Sequence, residues 1–249
     1  MLPSVRRHLE MHPGSSRRYD RRHQGRAGEP LGTERRYCAD NQKAKLIKSR
    51  RKEKMTKKKE QVQVISQASL ADGIFSMWIR TEAAKSARPG QFISMYTSDG
   101  TKLLPRPISI CEIDKEKSAL RVVYRVTGEH TGTEQFSRMQ AGEQLSIIGP
   151  LGNGFPLERA KGKRVFLMGG GIGVPPILEL AKQMSCEKKQ IIVGYRDRQT
   201  FLKEEFEACG EVYISTEDGS VETRGNVMNV VEEKALEADV IYAAAPHLC

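Results

Sequence analysis

The sequence predicts a two-part fold of the β plus α/β class: an antiparallel six-stranded barrel, then a parallel-sheet α/β layer. Three observations carry that reading. Between Gln61 and Ile148 the chain runs in short apolar or alternating segments rich in β-branched residues, parted by Gly, Pro, Asp and Ser turns. Segments of that spacing suit a small barrel. After Lys161-Gly162-Lys163, strand-like runs alternate with helical ones, which implies parallel strands joined by crossover helices. Residues 1–54, by contrast, are rich in Arg, His, Gly and Ser and nearly free of apolar periodicity. Such a segment cannot bury enough surface to offset its ordering entropy, so it is predicted to be a disordered basic extension.

The barrel strands are expected at Val62–Ser66, Ile74–Arg80, Phe92–Met95, Pro107–Cys111, Leu120–Val126 and Gln144–Ile148. Arg88-Pro89-Gly90 and Ser98-Asp99-Gly100 supply turns between them. One helical stretch, Thr133–Met139, interrupts the series. The second half reads as strand Arg164–Met168, helix Pro175–Met184, strand Gln190–Tyr195, helix Phe201–Ala208, strand Glu211–Ser215, helix Asn226–Leu236 and strand Val240–Ala243. The domains are therefore expected at 55–157 and 158–249, with the boundary near Pro156–Gly162 and no internal repeat.

Charge separates the tail from the body. The chain of 249 residues carries a net +10, but residues 1–54 hold 16 Lys/Arg against 6 Asp/Glu, whereas residues 55–249 hold 25 of each. A neutral body has no footprint for a polyanion, so a nucleic-acid partner is not expected there. No stretch approaches the roughly 18 apolar residues that a membrane span requires. The five cysteines, Cys38, Cys111, Cys186, Cys209 and Cys249, show no paired spacing. An odd count without a secretory leader points to reduced thiols in a cytoplasmic setting. Three readings of the tail stand side by side: an RNA-binding arm, an organelle transit peptide, or a segment that is not translated. The last follows from Arg50-Arg51, which can be encoded AGG-AGG, a ribosome-binding sequence just ahead of Met55.

The strongest local signal is Met168-Gly169-Gly170-Gly171-Ile172-Gly173-Val174-Pro175-Pro176, set between a strand and a helix. Glycines let backbone approach a phosphate closely, prolines suit the first helical turn, and the free amides of that helix end attract a pyrophosphate. The run is not G-x-G-x-x-G, because the third glycine position falls on Val174. In the first half, Arg106-Pro107-Ile108-Ser109 opens one strand, and Tyr124-Arg125-Val126 ends the next. The Gly128–Thr133 loop that follows leads into a helix. Each is weak alone. With Gly149-Pro150-Leu151-Gly152-Asn153-Gly154-Phe155 at the junction they become specific.

This combination resembles the ferredoxin–NADP reductase superfamily, and the Leu-Gly-Asn-Gly-Phe junction resembles the electron-transfer subunit of bacterial dihydroorotate dehydrogenase B, over about residues 60–246. The resemblance implies an FAD-dependent, NAD(H)-linked oxidoreductase subunit. Arg106 would pair with the FAD pyrophosphate, Ser109 would lie by the reactive edge of the flavin ring, and Pro107 and Ile108 would shape its pocket. Tyr124, Arg125 and Val126 would contact the ribityl and ring region, and Gly132 and Thr133 would hold the flavin phosphates. Gly169, Gly170, Gly171, Ile172 and Gly173 would receive the pyrophosphate of NAD(H). Gly194, Tyr195 and Arg196, with Glu217 and Asp218, would border the dinucleotide at the carboxyl ends of parallel strands. The implied partner is an FMN-containing dihydroorotate dehydrogenase catalytic subunit, in a heterotetramer that links dihydroorotate oxidation to NAD+ reduction.

Hydride transfer between stacked rings relies on positioning, so no acid–base triad is sought. His130 and His247 are read as loop residues, Cys111 as a core residue, and Glu204-Glu205 as a solvated helix face. The sequence departs from the family pattern in three places. The Gly128–Thr133 loop is about two residues longer, and Glu222 replaces a glycine. Ala243-Ala244-Ala245-Pro246 stands where Cys-Gly-Pro would lead into a [2Fe–2S] domain, whose ligands at C-x4-C-x2-C spacing are missing. The sequence therefore reads as truncated before that domain, with no metal site of its own. The small subunit of a ferredoxin–NADP oxidoreductase or sulfide dehydrogenase, and an inactive remnant, are the alternative readings.

Overall fold

The computed structural model describes residues 59–98 and 104–245. The expectations for residues 1–54, for the tip of the Ser98-Asp99-Gly100 turn and for His247 lie outside the described residues. Thr56–Cys249 forms one compact unit. Six antiparallel strands close its barrel: β1 (Lys59–Ala71), β2 (Ile74–Arg80), β3 (Phe92–Tyr96), β4 (Arg106–Asp114), β5 (Ala119–Arg125) and β6 (Gln144–Leu151), in the spatial order β1-β2-β5-β4-β3-β6. A short helix α1 (Gly132–Ser137) joins β5 to β6. The second part alternates β7 (Arg164–Gly170), α2 (Pro175–Gln183), β8 (Lys188–Tyr195), α3 (Lys203–Glu207), β9 (Glu211–Thr216), β10 (Thr223–Arg224), α4 (Val227–Glu233) and β11 (Val240–Ala244). Its five strands are parallel, in the order β10-β9-β8-β7-β11. Both halves of the expected architecture are present.

Differences from the expected elements have local causes. Strand β1 runs five residues past Ser66, because register shifts at Val64/Ser66 and Ser69/Ala71 absorb a segment, Gln67–Ala71, that lacks alternation. Helix α3 starts at Lys203, two residues late, since Leu202 takes a left-handed φ of 66° while Phe201 and Leu202 enter the core. Helix α4 opens with a capping box, in which Asn226 Oδ1 accepts from the Asn229 amide (3.4 Å) and the Asn226 amide donates to Asn229 Oδ1 (2.9 Å). The two-residue β10 and a 3₁₀ turn at Glu82–Lys85 are too short for periodicity to reveal.

Packing ties the two parts together. The barrel interior is filled by alternate strand residues such as Met77, Ile79, Ile93, Ile110, Leu120 and Ile147. The α/β layer buries Leu167, Ile177, Leu178, Val193 and Ile214 on one face of its sheet and Phe166, Met168, Ile192 and Val230 on the other. Three barrel residues, Ile74, Cys111 and Val123, point outward and join the first of these clusters. Cys111 is thus a core residue, fully buried, and burial pushes its thiol well above the ordinary range.

Strand β4 supplies the main contact with α2. Its register against β5 slips between Ile110 and Glu112. A bulge of this kind re-aims side chains. Ile110 faces the barrel interior, Cys111 faces the α/β core, and Glu112 also reaches outward, to Lys182 of α2. The junction after β6 is pinned in a similar way. The Phe155 amide donates to the Pro89 carbonyl (2.9 Å), its ring meets Tyr242 of β11 edge-on at 5.7 Å, and Tyr242 donates its hydroxyl proton to the Pro156 carbonyl (2.7 Å).

Candidate functional site

On the barrel side, Arg106 opens β4 beside Met95 of β3. Its side chain runs along Gly132, the first residue of α1. A Cβ there would sit 3.1 Å from Arg106 Nε and 3.3 Å from its Cγ, so a side chain at 132 would press on the arm. Arg106 Nη1 donates to the Leu104 carbonyl (2.7 Å). Pro107 is exposed, and Ile108 and Ser109 are half-buried, with Ser109 in register with Phe92. The long loop before α1 closes on itself. Thr131 caps the helix by accepting from the Glu134 amide (3.2 Å) and donates to the Gly128 carbonyl (2.9 Å). Thr133 Oγ1 accepts from the Thr127 amide (3.4 Å). Left-handed backbone at His130 (φ 58°) absorbs the added length, and its amide donates to the Glu134 carboxylate.

On the α/β side, the glycine turn joins β7 to α2. Gly171 holds a φ of 54°, and Gly173 lies against β11, where a Cβ would fall 2.1 Å from the Ala244 carbonyl oxygen. Gly170 differs. Its backbone is extended (φ −127°), and an added Cβ would meet nothing nearer than Ala245 Cβ at 3.5 Å. Packing inside the protein does not require glycine at 170. Arg125, at the exposed end of β5, reaches across to this turn, with Nη2 4.0 Å from where a Gly171 Cβ would stand. The barrel strand and the glycine turn therefore share one locus.

At the carboxyl edge of the sheet, Arg196, Glu217 and Asp218 are exposed. The Glu217 amide donates to the Tyr195 carbonyl (3.1 Å) and the Asp218 amide to the Arg196 carbonyl (3.3 Å), which ties the ends of β8 and β9 together. Bonds from Ser220 hold the Asp218 carboxyl below its usual range. Ile172 is half-buried beside the glycine turn, and the Val126 amide donates to the Gly73 carbonyl (2.8 Å).

Four of the expected positions are tied into the protein's own packing. Tyr124 points into the barrel with 1% of its surface exposed, stacks on Phe75 and donates to Gln67 Oε1 (2.8 Å). Burial raises its phenol well above the ordinary value. Tyr195 is likewise buried, donating to the Phe201 carbonyl (2.7 Å). The missing side chain of Gly194 is matched by Val227 and Ser215, which would lie 3.1 and 3.2 Å from a Cβ. Glu205 is not simply solvated, for its carboxylate lies 3.5 Å from Arg121 Nη1, while Glu204 is exposed.

The left-handed φ of 48° at Glu222 explains why a glycine would suit that position. Here the Glu222 carboxylate accepts from the Ile214 amide (2.9 Å) instead. Sequence reasoning did not single out Ser215, whose buried hydroxyl has no hydrogen-bond partner among the described residues. Its only signal was a serine ending an apolar strand. Two clefts of about 390 and 430 Å³ are lined by Tyr96, Phe136 and Arg138 and by Lys182, Lys189 and Cys209 respectively; neither includes Arg106 or the glycine turn. Among the described residues no group of three or more His, Cys, Asp or Glu could hold a metal ion, and no helix is long and apolar enough to cross a membrane.

A scan of the sequence against protein-family profiles gives no match. Individual proteins do match. The chain is 40% identical over 194 residues to the dihydroorotate dehydrogenase B (NAD(+)) electron transfer subunit of Lysinibacillus sphaericus, covering 76% of this chain and 75% of that one. It is 41% identical over 197 residues to the subunit of the same name from Enterococcus faecalis, covering 76% and 74%. The chain belongs to this family. Family members are, by name, subunits that transfer electrons, which matches an oxidoreductase component working beside another chain. Solved structures agree on the fold. An NADH-dependent reduced ferredoxin–NADP oxidoreductase aligns with a TM-score of 0.66 at 23% identity, over 74% of this chain and 67% of that chain. A ferredoxin–NADP+ reductase from Neisseria gonorrhoeae aligns at 0.64 and 15%, over 75% and 84%.

Proposed function

We propose that the chain binds FAD along the start of β4 and the loop before α1, and NAD(H) at the glycine turn, and passes electrons between them. One observation carries the reading: Arg125 of the barrel reaches the glycine turn of the α/β layer, so the two half-sites adjoin. The residues fit the two groups. Arg106 is a fixed guanidinium beside a glycine cradle, suited to a pyrophosphate. Gly170, at the end of β7, leaves its backbone uncrowded for a second phosphate group; the first turn of α2 adds no free amides, since Pro175 and Pro176 carry no N–H and the Val174 and Ile177 amides donate within the turn.

When bound, the flavin and nicotinamide supply the hydride chemistry themselves. The chain binds and orients. Arg106 would neutralise phosphate charge, and Pro107, Ile108 and Ser109 would present one face of β4 to the flavin ring. Gly132 and Thr133 would flank the flavin phosphates. Arg125 and Val126 would border the ring and ribityl region, and Arg196, Glu217 and Asp218 would edge the dinucleotide. Residues 55–157 act as the flavin-binding domain and 158–249 as the nicotinamide-binding one. The relatives' name, that of a subunit, supports a partner chain; the partner we propose is an FMN-containing dihydroorotate dehydrogenase catalytic subunit, in a cytoplasmic heterotetramer. The coupled reaction would join dihydroorotate oxidation to NAD+ reduction.

The test is spectroscopic. The purified chain, loaded with FAD under anaerobic conditions, is mixed with NADH. Loss of the flavin absorbance supports the reading. A chain that takes up no FAD overturns it.

A further inference from the structure

A group of charged side chains that the candidate site does not use lies where the barrel meets α2 and α3. The bulge at Cys111 turns Glu112 outward from β4, and its carboxylate pairs both with Arg121 of β5 and with Lys182 of α2. Arg121 also donates from Nε to Ser76 Oγ of β2 (2.8 Å) and lies 3.5 Å from Glu205 of α3. The side chains of Arg121 and Glu112 are 11% and 13% exposed. One position further along β4, the Ile113 amide donates to Glu179 Oε2 of α2 (2.8 Å), and Gln183 donates to the other oxygen of that carboxylate (2.5 Å).

We infer that Glu112, Arg121, Lys182 and Glu179 form a latch that fixes α2 against β4 and so sets the spacing between the two halves of the site. The inference rests on the FAD and NAD(H) reading above.

Placement supports it. β4 begins with the residues assigned to the flavin and reaches the latch about 10 Å later, from Ser109 to Glu112. α2 begins at the glycine turn and reaches the latch about 6 Å later, from Pro175 to Glu179. One strand and one helix thus connect both cofactor positions to a single cluster. Stability alone does not account for it. An apolar seam already exists there, formed by Ile74, Cys111 and Val123 against the α/β core. Buried ion clusters add little over apolar residues of the same volume, because desolvation offsets their attraction. What the seam lacks is direction, since apolar contacts tolerate sliding. The ion pairs and the Ile113–Glu179 bond fix register. The four residues are positioning residues and touch neither cofactor.

Stopped-flow reduction of the FAD-loaded full chain by NADH separates binding from positioning. In Arg121→Met, Glu112 keeps Lys182 as a partner. The limiting rate is expected to fall roughly tenfold or more, as small misplacements of reacting groups do, while the NADH dissociation constant and the FAD content stay unchanged. Arg121→Lys should recover part of the rate. Lys182→Met, at a half-exposed position, should act in the same direction even if Arg121→Met loses its flavin.

Hydrogen exchange of the cofactor-free chain gives an independent readout. Exchange at Ile113 and along α2 should quicken in both methionine variants, while the barrel strand β3 keeps its protection. Wild-type limiting rates in both methionine variants, or a loss of NADH affinity at an unchanged limiting rate, would overturn the latch. A wild-type chain that NADH does not reduce would instead overturn the functional reading; the exchange measurement would still decide the latch.

Discussion

The barrel side and the α/β side of the candidate site are built from opposite materials. At the start of β4 the site consists of side chains, Arg106, Pro107 and Ser109, standing on a strand. At the end of β7 it consists of backbone from which side chains have been removed. The first kind of surface can lose a group and keep its fold. The second is constrained by close backbone approaches that leave no room for a side chain, as at Gly173 against Ala244. Chemistry is therefore separable from stability on the barrel side and entangled with it in most of the glycine turn.

The sharpest way to break that contrast is Gly173→Ala. Its Cβ would fall inside the Ala244 carbonyl, so the backbone of β11 or of the turn must move, at an expected cost of about 3 kcal/mol or more in urea unfolding. Gly90→Ala comes next. It combines a φ of 82° with a Cβ 2.5 Å from the Phe155 ring, and should cost about 2 kcal/mol. Gly170→Ala sharpens the comparison from the other side. Its stability should stay within about 0.5 kcal/mol of wild type, while NADH binding weakens roughly tenfold, about 1.4 kcal/mol, in a fluorescence titration.

Glu222 offers a smaller effect with a sign to check. Glu222→Ala keeps the left-handed strain and loses the Ile214 bond, so it should cost about 1 kcal/mol. Glu222→Gly loses the same bond but relieves the strain, and should be near neutral.

The smallest effect concerns pH. The Arg164 guanidinium and amide bond to Asp239 and hold its carboxyl below the usual range. A carboxyl depressed on folding adds stability above its unfolded value and loses it as pH falls through the folded one. Asp239→Asn should thus differ from wild type at about pH 6 and converge with it at about pH 2, on either side of the ordinary value near ~3.9.

Much of this was legible in the sequence because it depends on local pattern. Alternation gave the barrel strands, the change of period gave the α/β layer, and glycine and proline runs gave the turns that border the site. What escaped depends on which way a side chain points. Tyr124 and Arg125 are neighbours in a motif, yet strand alternation sends one into the barrel and the other to the glycine turn. The slip at Cys111 cannot be read from Ile110-Cys111-Glu112, since a bulge is defined by the partner strand. Glu205 looked solvated on its own helix, because the Arg121 that it faces lies on the barrel.

The central claim is that side-chain chemistry at the start of β4 holds the flavin, and Arg106→Ala tests it most directly. FAD titration of wild type and variant, followed by flavin fluorescence, should show the variant binding roughly 10- to 100-fold more weakly, as loss of charge-assisted bonds to phosphate entails. Urea unfolding of the cofactor-free chains should be the same for both. Equal FAD affinity in the two proteins would contradict the claim.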